Sequence, residues 1–513
     1  MDRRIFVSDL ARYAALATAT PNIWRLRWHP RFADDPFTLG VASGDPAPDG
    51  AVLWTRLAPR PLETGGGMQG VRAVVRWEVA RDEAFRLVVK HGDATATPEL
   101  GHSVHISVRG LAPERWYFYR FTSGEAASPA GRFRCAPRDD AIAPLSFAFI
   151  SCQHYEQGLF TAFQHLANEE IDLVSHLGDY IYEGSGVDSR VRKHAGLELR
   201  TLDDYRRRYA QYKSDVMLQA AHARCAWTVI WDDHEVHNNY SSFDRDSLSG
   251  TADEQRTRRA AAYQAWWEHQ AVRIAPASTW ADLRIYRATN WGRLARFWQL
   301  DGRQYRSDQA CGDGTKPIPC GDWADPNRTM LGAAQEKWLI NGLARSQSRW
   351  QVLANQVVLA PPDQQPRDGD RVEMDKWSGY PADRDRVLAA IAEHAPNRTV
   401  AITGDIHNNW VYEVRRGFDT LERPVIAAEF VGSSMSSGGD GADNIVRINA
   451  AYLAANPSLK WANNRRGYVV CAVTPDEWRA TYRVVPYVTR PGAPIQTASA
   501  WRVQRSAPGV EKD

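Results

Sequence analysis

The run Ile171–Leu177, short and mostly apolar, leads straight into Gly178-Asp179-Tyr180-Ile181-Tyr182-Glu183, and it constrains this chain more than any other stretch. An apolar run of that length, bounded by polar sequence, reads as a strand buried on both faces in a parallel sheet. Open α/β sheets place their ligands at the carboxyl ends of such strands, where Gly178 and Asp179 fall. Tyr182 follows Asp179 by three residues, so a tight turn aims its phenolate at whatever the carboxylate holds. Carboxylate and phenolate are hard anionic oxygen donors, suited to a highly charged metal ion. Taken alone, the pair is explained equally well by a capping aspartate in a strand-end turn, so the rest of the chain must decide.

The surrounding sequence alternates strands and helices. Strands are expected at Leu145–Ile150, Ala226–Trp231, Trp350–Leu359 and Asn397–Ile402, with further extended runs at Leu283–Tyr286 and Leu294–Leu300. Helices are expected at Leu159–Glu169, Leu202–Ala221, Asp253–Val272, Ala333–Ala344 and Arg384–Ala395. This is α/β order with no internal repeat. The preceding region, residues 37–137, differs. Its short β runs, such as Arg72–Val79 and Trp116–Phe121, are punctuated by Pro, Gly and Asp, as in an antiparallel β-sandwich. The domains are therefore placed at 37–137 and 138–486, flanked by an amino-terminal segment 1–36 and a tail 487–513 that matches no pattern.

Four loops, each directly after an expected strand, collect candidate metal ligands. They are Ser151-Cys152-Gln153-His154, Gly178–Glu183, Trp231–Tyr240 and Thr403–Trp410. A lone cysteine is usually a packing residue. At a strand end beside other ligand loops, the Cys152 thiolate becomes a credible donor. Asp405 and His407, two residues apart, can converge on one ion. One such loop is weak evidence, whereas four in a single α/β domain are strong.

Charge balance excludes a global electrostatic argument for nucleic acid, since 63 Lys and Arg oppose 61 Asp and Glu. No run of roughly 18 apolar residues predicts a transmembrane helix. At 513 residues the chain can bury a large core in two domains. Six cysteines are too few for a disulfide scaffold. Cys311 and Cys320 bracket a loop that a disulfide could staple in an oxidising compartment. Cys135, Cys225 and Cys471 read as buried small hydrophobes. Arg3-Arg4 before apolar sequence, with Ala17-Thr18-Ala19 beyond, fits a twin-arginine export signal, and a basic amphipathic helix fits it equally.

The blocks Leu39–Pro46, Val52–Arg56, Ser151–Gln153, Gly178–Glu183, Trp231–Asn239, Leu300–Arg306, Gly404–His407 and Glu429–Ser434 resemble, in order, the calcineurin-like metallophosphoesterases, and closely the alkaline phosphatase D family. The resemblance implies a small antiparallel β-sandwich followed by a four-layer α/β/β/α phosphatase domain. It implies that Asp179 bridges metal ions, that Cys152 and Tyr182 bind Fe(3+), and that Asn238, Asp405 and His407 complete the cluster with Ca(2+). An arginine in the helix after the third loop, Arg259 or its neighbour Arg258, would hold phosphate, and Arg259 is favoured. Twin-arginine export, and hence a periplasmic or secreted location, is implied as well. Two points depart from the family pattern or stay open. His237 stands where an acidic residue is common, and Asn239 fits the amide ligand as Asn238 does.

The residue chemistry agrees. Cys152, Asp179, Tyr182 and Asp405 would bring four negative charges, suiting a trivalent ion with divalent partners better than a lone zinc. Asn, Asp and water are ligands calcium accepts. The expected function is metal-dependent hydrolysis of small-molecule phosphate esters by a metal-activated water or oxo nucleophile, in a monomer without a nucleic-acid-binding module. No G-x-S-x-G elbow or phosphate-binding P-loop competes with this. The alternatives are a purple-acid-type phosphatase, disfavoured because Asp405 stands where that family has histidine, and a non-catalytic secreted binding protein.

Overall fold

Four parallel strands, Leu145–Ile150, Leu173–His176, Ala226–Val229 and Val41–Ala47, lie side by side in a ten-stranded sheet. Leu173–His176 and Ala226–Val229 are buried at every residue, as their apolar runs require. A second sheet of seven strands has Ala295–Gln299, Trp350–Ala354, Thr399–Thr403 and Ala427–Val431 as its parallel core. The computed structural model describes residues 32–242, 251–363, 370–417, 421–445, 448 and 450–513, so Arg3, Arg4 and the candidate cleavage site lie outside the described residues.

The two sheets pack face to face. Phe147 of the first meets Phe297 of the second edge-on, with ring centroids 5.2 Å apart. The outer face of the second sheet buries Leu339 and Leu343 of helix Gly332–Arg345, with Val387, Leu388 and Ile391 of helix Pro381–His394. The first sheet is covered by Phe163 and Leu166 of helix Thr161–Leu166, and by Leu218 and Ala221 of helix Val216–Arg224. Helix, sheet, sheet and helix are the four expected layers.

Other boundaries differ from the sequence expectation for local reasons. The single helix expected over Leu202–Ala221 is two, Leu202–Lys213 and Val216–Arg224. Asp215 caps the second, accepting from the amides of Met217 at 2.9 Å and Leu218 at 3.3 Å. The run Leu283–Tyr286 is not a strand; pairing begins at Arg287–Trp291. In the amino-terminal region, Ala73–Ala80, Val88–Ala96, Trp116–Ser123, Ala126–Ala127 and Gly131–Arg134 form a separate antiparallel sheet. Its partner layer, Val41–Ala47, Gly50–Arg56 and Ser103–Ser107, is the edge of the ten-stranded sheet itself. The tail is likewise built in, since Gln496–Gln504 pairs along Glu477–Val485 at the opposite edge. Cys311 and Cys320 form a disulfide, and the other four cysteines are buried thiols. Among the described residues no helix is long and apolar enough to cross a membrane.

Asp45, 1% exposed, ties the two sheets together. Its carboxylate accepts from the Arg273 amide at 2.7 Å and from Arg287 Nε and Nη2 at 3.1 and 2.8 Å. Arg287 opens the edge strand of the second sheet. Removing one partner of a largely buried ion pair leaves the other charge uncompensated, a loss of about 3 kcal/mol. Asp45→Ala should lower the urea midpoint accordingly and Asp45→Asn should do so by less; a wild-type midpoint for Asp45→Ala would contradict this role.

Candidate metal centre

The loops that follow the parallel strands of both sheets meet at one end of the molecule, because the strands share a direction. Two glycines permit the close approach. A Cβ on Gly178, where φ is +115°, would lie 2.4 Å from the Cβ of Asp232. A Cβ on Gly404 would lie 2.4 Å from Ser151 Oγ. The ligand residues turn sharply here. Cys152, Asp179, Asp405 and His407 all hold left-handed backbone, with φ of 57°, 58°, 67° and 54°. Each such non-glycine residue costs on the order of 1 kcal/mol, and strain of this kind persists where neighbours over-determine it.

Glu235 is one of those neighbours. Its carboxylate accepts from three backbone amides, Asp179 at 3.0 Å, Tyr180 at 2.6 Å and Asp232 at 2.8 Å. It thereby joins the second ligand loop to the third. Burial pushes its pKa up to about 8, while the three amide donors favour the carboxylate. Ser437 does similar work on the other side: its hydroxyl bridges the Tyr182 phenol oxygen at 2.7 Å and the Cys152 carbonyl at 2.8 Å.

The first half of the cluster is Cys152, Asp179, Tyr182 and His407. Cys152 Sγ, an Asp179 oxygen and a His407 nitrogen lie within 4.8 Å of one another. The Tyr182 phenol donates to Asp179 Oδ2 at 2.7 Å and lies 3.4 Å from His407 Nε2. The Tyr182 ring is sandwiched between His154 and His234, at centroid distances of 4.2 and 4.1 Å. Burial, then the Asp179 charge, pushes the pKa values of Cys152 and Tyr182 well up, and burial does the same to Asp179. Burial holds His407 down at about 3, so it is a neutral imidazole, the form that ligates metals. Asp179 Oδ1 is buried with no hydrogen-bond partner. Acids that cannot ionise together, a neutral imidazole and an orphaned carboxylate oxygen fit a resident cation.

His234, one imidazole within the Trp231–Tyr240 loop and marked by no local pattern, is central. Burial disfavours its cation, but Glu183, Asp233 and Asp179 hold its pKa well above the ordinary range. Its Nδ1 lies 2.7 Å from Glu183 Oε2. Burial opposes ionisation of Glu183 too, yet the His234 imidazolium keeps that carboxyl at about 2.

The second half is acidic and already carries cations. Asp232, Asp233 and Asp405 bring oxygens within 4.8 Å of one another. The fully buried Arg303 contacts Asp232 through Nε and reaches both oxygens of Asp375 at 2.9 Å. Its Nη2 lies 3.4 Å from Asp405 and 3.6 Å from Asp233. Arg306 adds a 2.6 Å bond to Asp375. Arg303 and Arg306 stood in the Leu300–Arg306 block without an assigned role; nothing local in sequence marks Asp375 as their partner.

The structure thus brings Cys152, Asp179, Tyr182, Asp405 and His407 together. Asn238 is exposed and its backbone N–H donates to Glu183 Oε1 at 2.9 Å, whereas Asn239 lines a cavity beside Asp405. Arg259 is 4% exposed and donates to the Ala281 carbonyl at 2.7 Å and the Ser242 carbonyl at 2.9 Å, so it is not joined to the ligand cluster by these bonds. Arg258 donates to Tyr205 and pairs with Glu198 at 2.9 Å.

Residues 147–482 match the family model of the PhoD-like phosphatase, and residues 22–137 match the model of the PhoD-like phosphatase amino-terminal domain. Alkaline phosphatase D of Bacillus subtilis (strain 168) is 45% identical over an alignment spanning 100% of this chain and 89% of that protein. A solved structure of PhoD superposes with a TM-score of 0.91 at 46% identity, covering 94% of this chain and 93% of the other. Purple acid phosphatase PPD1 from yellow lupin (Lupinus luteus) gives 0.57 at 14% identity, covering 92% of this chain and 74% of its own, a likeness of fold alone. With its catalytic and amino-terminal regions both matched, and a full-length relative at this identity, the chain belongs to the PhoD-like phosphatase family, whose members are phosphoric ester hydrolases.

Proposed function

We propose that the chain hydrolyses small-molecule phosphate esters at a mixed centre in which Cys152, Asp179 and Tyr182 would hold a ferric ion, while Asp179, Asp405, His407 and an amide from Asn238 or Asn239 would hold calcium. The observation that carries this is the convergence of a thiol, a phenol, a carboxylate and an imidazole, with Asp179 Oδ1 left buried and without a hydrogen bond. Phenolate and carboxylate are hard anionic donors that favour a highly charged ion, to which the thiolate adds a further negative charge, and the remaining oxygen donors favour a hard divalent one. When bound, such ions supply Lewis acidity towards the phosphoryl oxygens and lower the pKa of water.

The protein's own residues provide position and charge. Glu235 and Ser437 fix the loops that carry Asp179, Tyr182 and Cys152. His154 and His234 hold the Tyr182 ring between their faces, which sets the direction of its oxygen. Arg303 keeps Asp232, Asp233 and Asp405 from repelling one another apart. The enzyme is proposed to act as an exported monomer, with Arg3 and Arg4 in the export signal.

Elemental analysis of protein purified without chelator should find iron and calcium, with a visible charge-transfer band that weakens in Tyr182→Phe. A colourless, iron-free and fully active protein would remove the ferric assignment. Chelation of calcium should abolish hydrolysis, and added calcium should restore it.

Glu235→Gln keeps shape but turns an amide NH2 towards backbone donors, leaving buried N–H groups unpaired at about 2 kcal/mol. Its expected outcome is reduced metal content and a fall in kcat of roughly a hundredfold, the scale of losing a positioned electrostatic group. Native metal content with native kcat would show that Glu235 does not organise the centre.

Changing Arg3 and Arg4 to lysine should retain activity inside the cell. Unchanged activity outside it would refute twin-arginine export.

A further inference from the structure

A cavity of about 290 Å3 opens beside Asp405, with both apolar and polar residues in its lining. Val358, Pro362, Ile406 and Trp410 supply its apolar surface, while Asn239, Lys376 and three carboxylates are among its polar residues. Among the described residues that line it, Lys376 is the only cation. The other candidates are committed elsewhere. Arg303 and Arg306 have fully buried side chains bonded to Asp375. Arg258 is paired with Tyr205 and Glu198, and Arg259 donates to backbone carbonyls.

Lys376 is held on a rigid support. The preceding Asp375 is bonded to Arg303, Arg306 and Gln309. The following Trp377 is buried, its Nε1 donating to Asn355 Oδ1 at 3.2 Å. The lysine side chain is 15% exposed, its Nζ lying 3.2 Å from Asp375 Oδ2 and in contact with Asp405 Oδ2. An ammonium has three N–H donors. Two are answered by these carboxylates, which leaves one for a guest in the cavity.

We infer that Lys376 binds a phosphoryl oxygen of the substrate in this cavity, while the apolar side chains of its lining receive the alcohol portion of the ester. The substrate class is therefore a phosphate ester whose alcohol carries a flat or apolar group. A phosphoryl anion beside Asp405 and Asp375 would be repelled without a cation at its edge, and Lys376 supplies it. This rests on the phosphoesterase reading above.

The test uses the metal-loaded enzyme with inorganic phosphate as probe. Calorimetry should show phosphate bound at least tenfold more weakly by Lys376→Met than by wild type, with metal content and unfolding temperature retained. Lys376→Arg should recover part of that affinity, and Lys376→Gln serves as a second neutral variant should the methionine protein fold poorly. In the wild type, KM for an aryl phosphate should lie below KM for a phosphate ester of a hydrophilic polyol, and both should rise in the neutral variants. Native phosphate affinity in both neutral variants would overturn the inference. So would a loss of metal in step with affinity, because Lys376 would then only assemble Asp405. A wild-type protein that hydrolyses no aryl phosphate and binds no phosphate would instead overturn the phosphoesterase reading, and this inference with it.

Discussion

Collecting acids at one end of the parallel cores of two sheets creates a repulsion that the fold must answer, and Arg303 is the main answer. One buried guanidinium faces Asp232, Asp233, Asp375 and Asp405. Buried carboxylates left unpaired would take up protons, and at an effective dielectric near 20 two unit charges 4 Å apart repel by about 4 kcal/mol. A planar guanidinium satisfies several oxygens at fixed angles, which a lysine could not. The charges on it make the Arg303 pKa rise well above its ordinary value despite burial. The geometry of the third and fourth ligand loops follows from this one side chain.

Strain is the second constraint, and it is met by bonds that come from far along the chain. The left-handed turns at Cys152 and Asp179 are locked by Cys152 N to Gly178 O at 3.1 Å and by Gln153 N to Asp179 O at 3.1 Å. The turn at His407 is held by Arg466, whose Nη1 donates to the His407 carbonyl at 2.9 Å and to Ser434 Oγ at 2.9 Å. Gln356 crosses between the sheets, donating to the carbonyls of Trp231 and Leu300 at 2.9 and 2.7 Å. Several such crosslinks together hold conformations that no single loop would keep.

This distribution explains what could be read from sequence. Buried strands, their order with helices and the loops after them follow from periodicity and local chemistry, so Cys152, Asp179, Tyr182, Asp405 and His407 were legible. Their supports were not. Glu235 acts through amides 55 and 56 residues away, Ser437 on groups 255 and 285 residues away, and Arg303 on Asp375 72 residues away. No short-range pattern encodes such pairings. Helical phase separates Arg258 from Arg259 by about 100°, but phase does not say which face looks at the centre. Both turn out buried in polar contacts of their own. The tail, short and without motif, became a strand because Glu477–Val485 offered an open edge.

The two halves of the centre differ in who supplies the positive charge. Around Asp232, Asp233, Asp375 and Asp405 the protein provides it, through Arg303, Arg306 and Lys376. Around Cys152 and Tyr182 the cations behave otherwise. Arg466 stands behind His407, turned to carbonyl and hydroxyl oxygens, and burial lowers its pKa to about 10. His234 faces the ring of Tyr182 while its Nδ1 is committed to Glu183. Asp179 Oδ1, between the halves, has no hydrogen bond. The thiol, phenol and imidazole side therefore depends most on an external cation, while Asp233 Oδ1, also without a hydrogen bond, leaves the acidic side open to a second one. The arginine-rich side keeps its acids in place with the protein's own charges. An arrangement of this kind lets the protein's own charges preassemble the acidic half, so that metal binding completes a centre already held in shape.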